Sequence, residues 1–475
     1  MATEASSTVA PVRLKRALTL WDLILYGVIV IQPVAPMSVY GVLMNRGHGH
    51  AVTTILIAMI AMLLTAFSYG RMARVYPSAG SAFTYVGQEI NPALGYVTGW
   101  SMTMDYLLNP MICIIWISQQ ANVFAPGIPY AAWAVFFALV FTALNVQGIK
   151  TSARANSALA AGMAVVIAIF FVAAARYVFG HTHDGASFFT LPFYDPATWN
   201  AKAVLGGTSI AVLTYIGFDG ISTLSEEAQN PRRNILLATV LVCVVIGILS
   251  ALQVYAAQLI WPSSEPFPNV DTAFTFVAGR AWAPLFAIVG FTLVVANFGS
   301  GMGAQLGAAR LLYGMGRSDA LPKRFFGAVD PKHRVPRNNV LFVGALALAG
   351  AFLLPTIARL RYYQGALMVL PPTAGQTTGY ELGANLLNFG ALLAFMGVNA
   401  AAFVRYYLRA DRKAIFNGLA PLAGFVICAI LWWSLSTNAR IVGGIWMVAG
   451  IAYGAVKTKG FQGDLVKFDI PAEDE

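Results

Sequence analysis

The feature that most constrains this chain is a recurring apolar block of about 20 residues, long enough for a helix to cross the roughly 30 Å hydrocarbon layer of a bilayer. Most blocks carry Leu, Ile, Val, Ala and Phe on every face, the pattern of helices surrounded by lipid and by other helices. Only 11% of residues are charged, against about 25% in soluble domains. The chain therefore reads as an all-α integral membrane protein. Twelve spans are predicted, near 20–44, 52–70, 94–122, 129–148, 155–178, 203–228, 234–260, 281–313, 338–357, 381–407, 418–437 and 440–457. The apolar run from Trp21 to Met44 is too long for a signal h-region and continues into a polytopic pattern, so no cleavable leader is expected. Cys113, Cys243 and Cys428 lie far apart in apolar runs and read as small buried hydrophobes.

The net charge of +10 raises the question of an acidic or nucleic-acid partner, and its distribution answers it. With the N-terminus in the cytoplasm, 23 of the 30 Lys and Arg fall on cytoplasmic segments and 7 on the other side. That split follows the positive-inside rule, so the basic balance is a topology signal and no nucleic acid is expected. It predicts a multi-pass membrane protein with both termini cytoplasmic. The expected organisation is an N-terminal segment 1–19, five-span blocks 20–178 and 203–407, two further helices over 418–457 and a tail 458–475. Residues 71–93 are expected to form an interfacial helix, and 359–380 an external loop rich in Gly, Pro and Thr.

Charges inside spans are costly, about 2.5–3.5 kcal/mol each on insertion scales, and usually face a cavity. Two acids lie well inside spans: Asp105 in the third and Asp219 in the sixth. Glu226 and Glu227, beside Arg232 and Arg233, read instead as an interfacial cluster. Asp219 sits in "TYIGFDGISTLSEEAQNP" between Gly217 and Gly220, both helix-weakening. The first span is also interrupted, at "IQPVAP", where Pro33 and Pro36 lack backbone donors and Gln32 adds an amide. Each interruption lies in the first span of a five-span block. Matching interruptions of this kind point to an inverted-repeat transporter whose unwound backbone lines a midplane site.

The same blocks resemble the amino acid–polyamine–organocation permeases over nearly the whole length. "GFDGISTLSEEAQNP" is similar to that family's sixth-helix signature, "YPSAGSAFTYV" to the block before the third helix, and "ARLLYGMGRSDALP" to the end of the eighth. "QPVAPMSVYG", "DYLLNPM" and "NFGALLAFMGVN" resemble the bacterial putrescine importers in particular. The resemblance implies a LeuT-like five-plus-five inverted repeat with discontinuous helices 1 and 6, two extra C-terminal helices, and uptake driven by the proton gradient. No cofactor is implied, and sodium is an open alternative to the proton. The sequence departs from amino-acid-transporting relatives at Gln32–Pro36, where Gln32, Pro33, Val34, Ala35 and Pro36 replace the Gly/Ser/Thr-rich loop that holds a carboxylate. Met163 aligns with a lysine of some proton-coupled relatives. The loop 359–380 is longer than in the importers it resembles.

A site for a dicationic amine needs anionic or carbonyl acceptors and aromatic faces, away from water. Asp105 and Asp219 are candidates for one ammonium each, and either is a candidate for the coupling acid. Asp219 is the expected coupling acid and Asp105 the expected anchor. Asp105, Asn109, Cys113 and Trp116 share one helical stripe. Tyr106, Tyr215 and Phe218 are candidates to cover the alkyl chain, with packing between helices an equal reading for the tyrosines. Gln32, Ala35, Gly217 and Gly220 complete the expected substrate-binding set. Asn297, Ser300 and the repeat Gly299, Gly303, Gly307 read as a helix-packing face. Asn388 reads as pathway-lining or as a helix–helix bond. The rival function is a permease or exchanger for neutral or cationic amino acids on the same scaffold. An enzyme is disfavoured, since the five histidines fall in loops away from both acids.

Overall fold

Thr19 starts the first helix with a reciprocal cap: its hydroxyl accepts the Asp22 N–H at 3.3 Å, and its own N–H donates to Asp22 Oδ2 at 2.8 Å. The computed structural model describes residues 17–77, 80–148, 153–183, 185, 187–225, 227–262, 265–317, 321–333, 335–363, 366–369, 377–410 and 415–461. Glu226, the tail beyond 461 and residues 1–16 lie outside the described residues.

The chain runs through α1 (Leu20–Ile31), α2 (Ala35–Arg46), α3 (Ala51–Val75), α4 (Ser81–Glu89), α5 (Pro92–Phe124), α6 (Tyr130–Val146), α7 (Ala153–Gly180) and a single turn, α8 (Ser187–Thr190). It continues through α9 (Ala201–Ala211), α10 (Pro231–Ile260), α11 (Ala273–Ala281), α12 (Pro284–Arg317), α13 (Lys323–Phe326) and α14 (Arg337–Ala358). After a hairpin of β1 (Leu360–Tyr363) and β2 (Ala366–Val369) come α15 (Gly379–Phe403), α16 (Ile415–Trp433) and α17 (Thr437–Lys457).

Among the described residues, eight helices are long and apolar enough to cross a membrane, and nine spans result when the bent pair α1–α2 counts as one. The other three predicted spans coincide with α5, α6 and α16. The 33 residues of α5 interleave Thr, Ser, Asp, Asn and Gln with apolar side chains. The remaining two, α6 and residues 417–433 of α16, are apolar but shorter than a full span. The segment expected to lie at the interface supplies the end of α3 and the short helix α4. The segment expected to be a structured external loop, 359–380, begins with the antiparallel pairing Leu360↔Val369 to Tyr363↔Ala366. Its run of Leu, Tyr, Met and Val has β propensity that the flanking Gly and Pro obscured.

Two spans are broken. Pro33 stops α1, Gln32 takes a left-handed φ of 66°, and α2 resumes at Ala35 with a 47° bend. The sixth span changes from α9 to 3-10 turns over Val212–Thr214 and Asp219–Leu224, with Gly217 between them at φ 121°. Only glycine occupies that region without strain. A Cβ at Gly217 would also lie 2.9 Å from Val30 Cγ1 and 3.1 Å from Ile31 Cγ1, so this glycine is where the two breaks touch. Behind the sixth span, Phe218 packs edge-on against Tyr69 of α3 at 5.6 Å and tilted against Phe395 of α15 at 5.3 Å, which fixes its rotation.

Candidate functional site

A cavity of about 660 Å³ lies between the end of α1, the middle of α5, the first half of α7, the break in the sixth span and α12. Gln32, Asp105, Tyr106, Asn109, Gly217, Asp219 and Gly220 line it, so most of the residues singled out in the sequence meet in one space. Asp219 is 7% exposed, and its Oδ1 accepts the Gly217 N–H at 3.2 Å. Asp105 is partly accessible and has no hydrogen-bond or cationic partner among the described residues. Among the described residues, the lining holds these two carboxylates and no Lys, Arg or His.

The backbone adds acceptors of the same sign. The last carbonyls of α1 have no partner further along the helix, and Ile29, Val30 and Gln32 line the cavity. The helix C-terminus carries partial negative charge. Donors at that break are scarce: the Gln32 N–H is used on Val28 O, the Ala35 N–H on Gln32 O, and Pro33 and Pro36 have none. Only the Val34 amide remains among residues 32–36, too few to hold a carboxylate as a nest of amides does. The Gln32 side chain donates Nε2 to Ala296 O at 2.7 Å on α12, tying the break to the opposite wall.

Three expected residues do not line this cavity. Tyr215 is fully buried, with its hydroxyl donating to Ile55 O of α3 at 2.9 Å. Phe218 is fully buried in the Tyr69–Phe395 cluster. Tyr215 and Phe218 lie between the two 3-10 turns, on either side of Gly217 at φ 121°, and both side chains are buried in the core, while Gly217, Asp219 and Gly220 line the cavity. Ala35 lies beyond the bend, in the first turn of α2. Asn388 is settled as a helix–helix bond: its Nδ2 donates to Ser209 O at 2.7 Å.

The structure adds Tyr26, at the rim and 37% exposed, and Ala304 on the wall. Met163, and Ser300 that was expected to pack between helices, line the wall as well. The glycine repeat expected to pack against a helix does so at neither Gly299 nor Gly303, where a Cβ would meet no atom within 4 Å. A Cβ at Gly307 would lie 3.4 Å from Cδ1 of the Tyr106 ring. Asn297 does pack, donating to Ser38 Oγ at 3.1 Å and to Leu293 O.

On the side away from the α1 N-terminus lies a second, larger vestibule of about 1190 Å³, lined by Asn45, Asp195, Trp199, Phe267, Asp271 and Thr378 among others. Trp116 separates the two spaces. It sits seven residues beyond Asn109 on α5, about 10 Å along the helix. Its Nε1 donates both to Ser38 O at 3.0 Å and to Asp271 O at 2.7 Å, joining α5, α2 and the segment before α11. The Thr378 hydroxyl donates to Asp271 Oδ1 at 2.7 Å, and Arg46 donates to Glu381 Oε2 at 3.1 Å and to Thr377 at 2.6 Å. Burial pushes the Asp271 carboxyl up to about 7; the Thr378 hydroxyl offsets part of this and the neighbouring Glu381 adds to it.

Comparison with known proteins finds a family model, amino acid permease, that matches residues 22–452. The low-affinity putrescine importer PlaP of Escherichia coli (strain K12) is 32% identical over 471 residues, 96% of this chain and 97% of its own length. The methylthioribose transporter of Bacillus subtilis (strain 168) is 25% identical, covering 92% of each chain. The branched-chain amino acid permease BcaP of the same organism is 24% identical, again over 92% of each.

Proposed function

The chain belongs to the amino acid permease family, a family of transporters and not of enzymes, and on that premise we propose that it imports a small cationic amine, putrescine or a related polyamine, by proton-coupled alternating access. The observation that carries this reading is the charge of the cavity: two carboxylates and helix-end carbonyls, with no cationic side chain in the lining among the described residues. A free amino acid presents a carboxylate as well as an ammonium. The prolines at the α1 break remove the amides that would receive it. The 32% identity to a putrescine importer supports the same choice, while amino-acid permeases among the relatives keep the rival reading in view.

Asp105 is the anchor for one ammonium, since it has no competing partner among the described residues. Asp219 takes the second ammonium or a proton, and this exchange couples the two. Met163 gives the proton no amine on α7 to occupy. Tyr26 and Tyr106 cover the alkyl chain in place of Tyr215 and Phe218. The frame is twelve spans in a five-plus-five repeat, with both termini cytoplasmic. In that orientation the sealed vestibule faces outward and the cavity belongs to an inward-facing state.

The test is uptake by purified protein in liposomes under an imposed pH step, with radiolabelled putrescine, spermidine, arginine, lysine and leucine. Saturable putrescine uptake that follows the proton gradient and is competed by amines is the expected result. Uptake of leucine or lysine, with putrescine neither taken up nor competing, overturns the reading in favour of an amino-acid permease.

A further inference from the structure

The cavity wall is bare at three positions. Gly162 on α7 and Gly299 and Gly303 on α12 all line it, and at each of the three a Cβ would enter open space, with no atom within 4 Å. Helix packing does not call for glycine there. On the same helix Gly301 is a packing glycine: its Cβ would lie 2.4 Å from the Phe141 ring and 2.7 Å from Cys113 Cβ. A glycine inside a helix costs about 1 kcal/mol relative to alanine. Three such residues with no neighbour to accommodate give no return in packing, so what they provide is room.

The room is longer than a diamine requires. The lining runs along α12 from Phe291 to Gly307, about 24 Å at 1.5 Å per residue. An extended four-carbon diamine spans about 6 Å between nitrogens, and a linear triamine of seven carbons about 11 Å, at the roughly 1.2 Å per bond of an extended chain. Asp219, 7% exposed and without a cationic partner, lies in the same cavity as Asp105, and Tyr26 at the rim offers a ring face to a further ammonium.

Resting on the amine reading above, we propose that Gly162, Gly299 and Gly303 set the length of the substrate, and that the bare wall admits linear triamines alongside diamines. A side chain on this wall narrows the space for the longer molecule first, because the shorter one is held at the carboxylates and need not reach along α12.

The experiment is competition of labelled putrescine uptake in liposomes by unlabelled putrescine and spermidine, for the wild type and for Gly303→Val, Gly299→Ala and Gly162→Ala. Wild-type protein is expected to bind spermidine within tenfold of putrescine. Gly303→Val should weaken spermidine at least tenfold while putrescine changes less than threefold, and the alanine variants should follow with smaller shifts. An equal loss for both amines means that the glycines pack in another conformation of the cycle and overturns the inference alone. So does spermidine competition unchanged in every variant, or a wild type that does not bind spermidine. A wild type that takes up amino acids and no amine overturns this inference together with the proposed function. Thermal melting of each variant in detergent separates these outcomes from misfolding.

Discussion

Replacing Asp105 by Asn removes one of the cavity's two charges while keeping the side chain's shape. An ammonium about 4 Å from a carboxylate gains about 4 kcal/mol at an effective dielectric of about 20. A hydrogen bond to a charged group is worth about 1.5–3 kcal/mol. The amide oxygen retains part of that bond, so the net cost for a substrate that uses both acids is about 2–4 kcal/mol, a 30- to 1000-fold weaker Kd. A monoamine of the same carbon length behaves differently. It needs one carboxylate, and the wild type offers it two, so losing one costs about RT ln 2, roughly 0.4 kcal/mol. Asp105→Asn is therefore expected to abolish the preference for putrescine over butylamine. The assay is equilibrium binding of labelled putrescine to purified protein, competed by each amine at fixed pH and salt. If the two amines weaken by the same factor, or putrescine by less than threefold, Asp105 is not an ammonium anchor.

Three further outcomes follow from the structure. Asp219→Asn is expected to weaken putrescine as Asp105→Asn does and to retain downhill exchange only at saturating substrate, while accumulation against a gradient is lost; accumulation with unchanged pH dependence shows that the coupling acid is elsewhere. Asp271→Asn should raise Tm, and more at pH 8 than at pH 5. The folded carboxyl titrates near 7 and the unfolded one near 4, so its protonated form stabilises the fold fully below about pH 4, and that contribution is lost as pH rises through 7; a permanently neutral amide that still accepts from Thr378 avoids up to about 4 kcal/mol of loss at pH 8, and equal Tm gains at the two pH values refute the assignment. Trp116→Phe removes two hydrogen bonds of about 1 kcal/mol each across the seal and should speed labelling of the buried Cys113 by a membrane-impermeant maleimide applied from the vestibule side several-fold; an unchanged rate means the indole N–H does not hold the seal.

Much of the fold was legible one segment at a time. Proline at 33 and 36, glycine at 217 and 220, and a carboxylate inside each of two spans marked both breaks and the acid pair, and all of these recur where the structure interrupts its helices or opens its cavity. The rotation of the sixth span was not legible. "TYIGFDG" offers two aromatics and an acid within five residues, and a uniform helix gives no reason to send them to different neighbours. The break at Gly217, together with Tyr69, Phe395 and the Ile55 carbonyl from segments far away in the chain, turned Phe218 and Tyr215 inward. The glycine repeat on α12 misled for a related reason. Spacing alone identifies small residues, while whether a neighbour fills the space beside them depends on a second helix.

The sequence by itself determined the membrane class, most of the spans, the two interruptions and the presence of two acids within spans. Each is a local cost or gain: transfer of an apolar block into lipid, a missing proline N–H, a charge held away from water. Tertiary structure alone decided which side chains share the cavity, that its wall is bare at three positions, and that Trp116 and Asp271 close the space beyond it. Those properties depend on how helices hundreds of residues apart are rotated against one another. That rotation is set by packing between them, which no single stretch of chain contains.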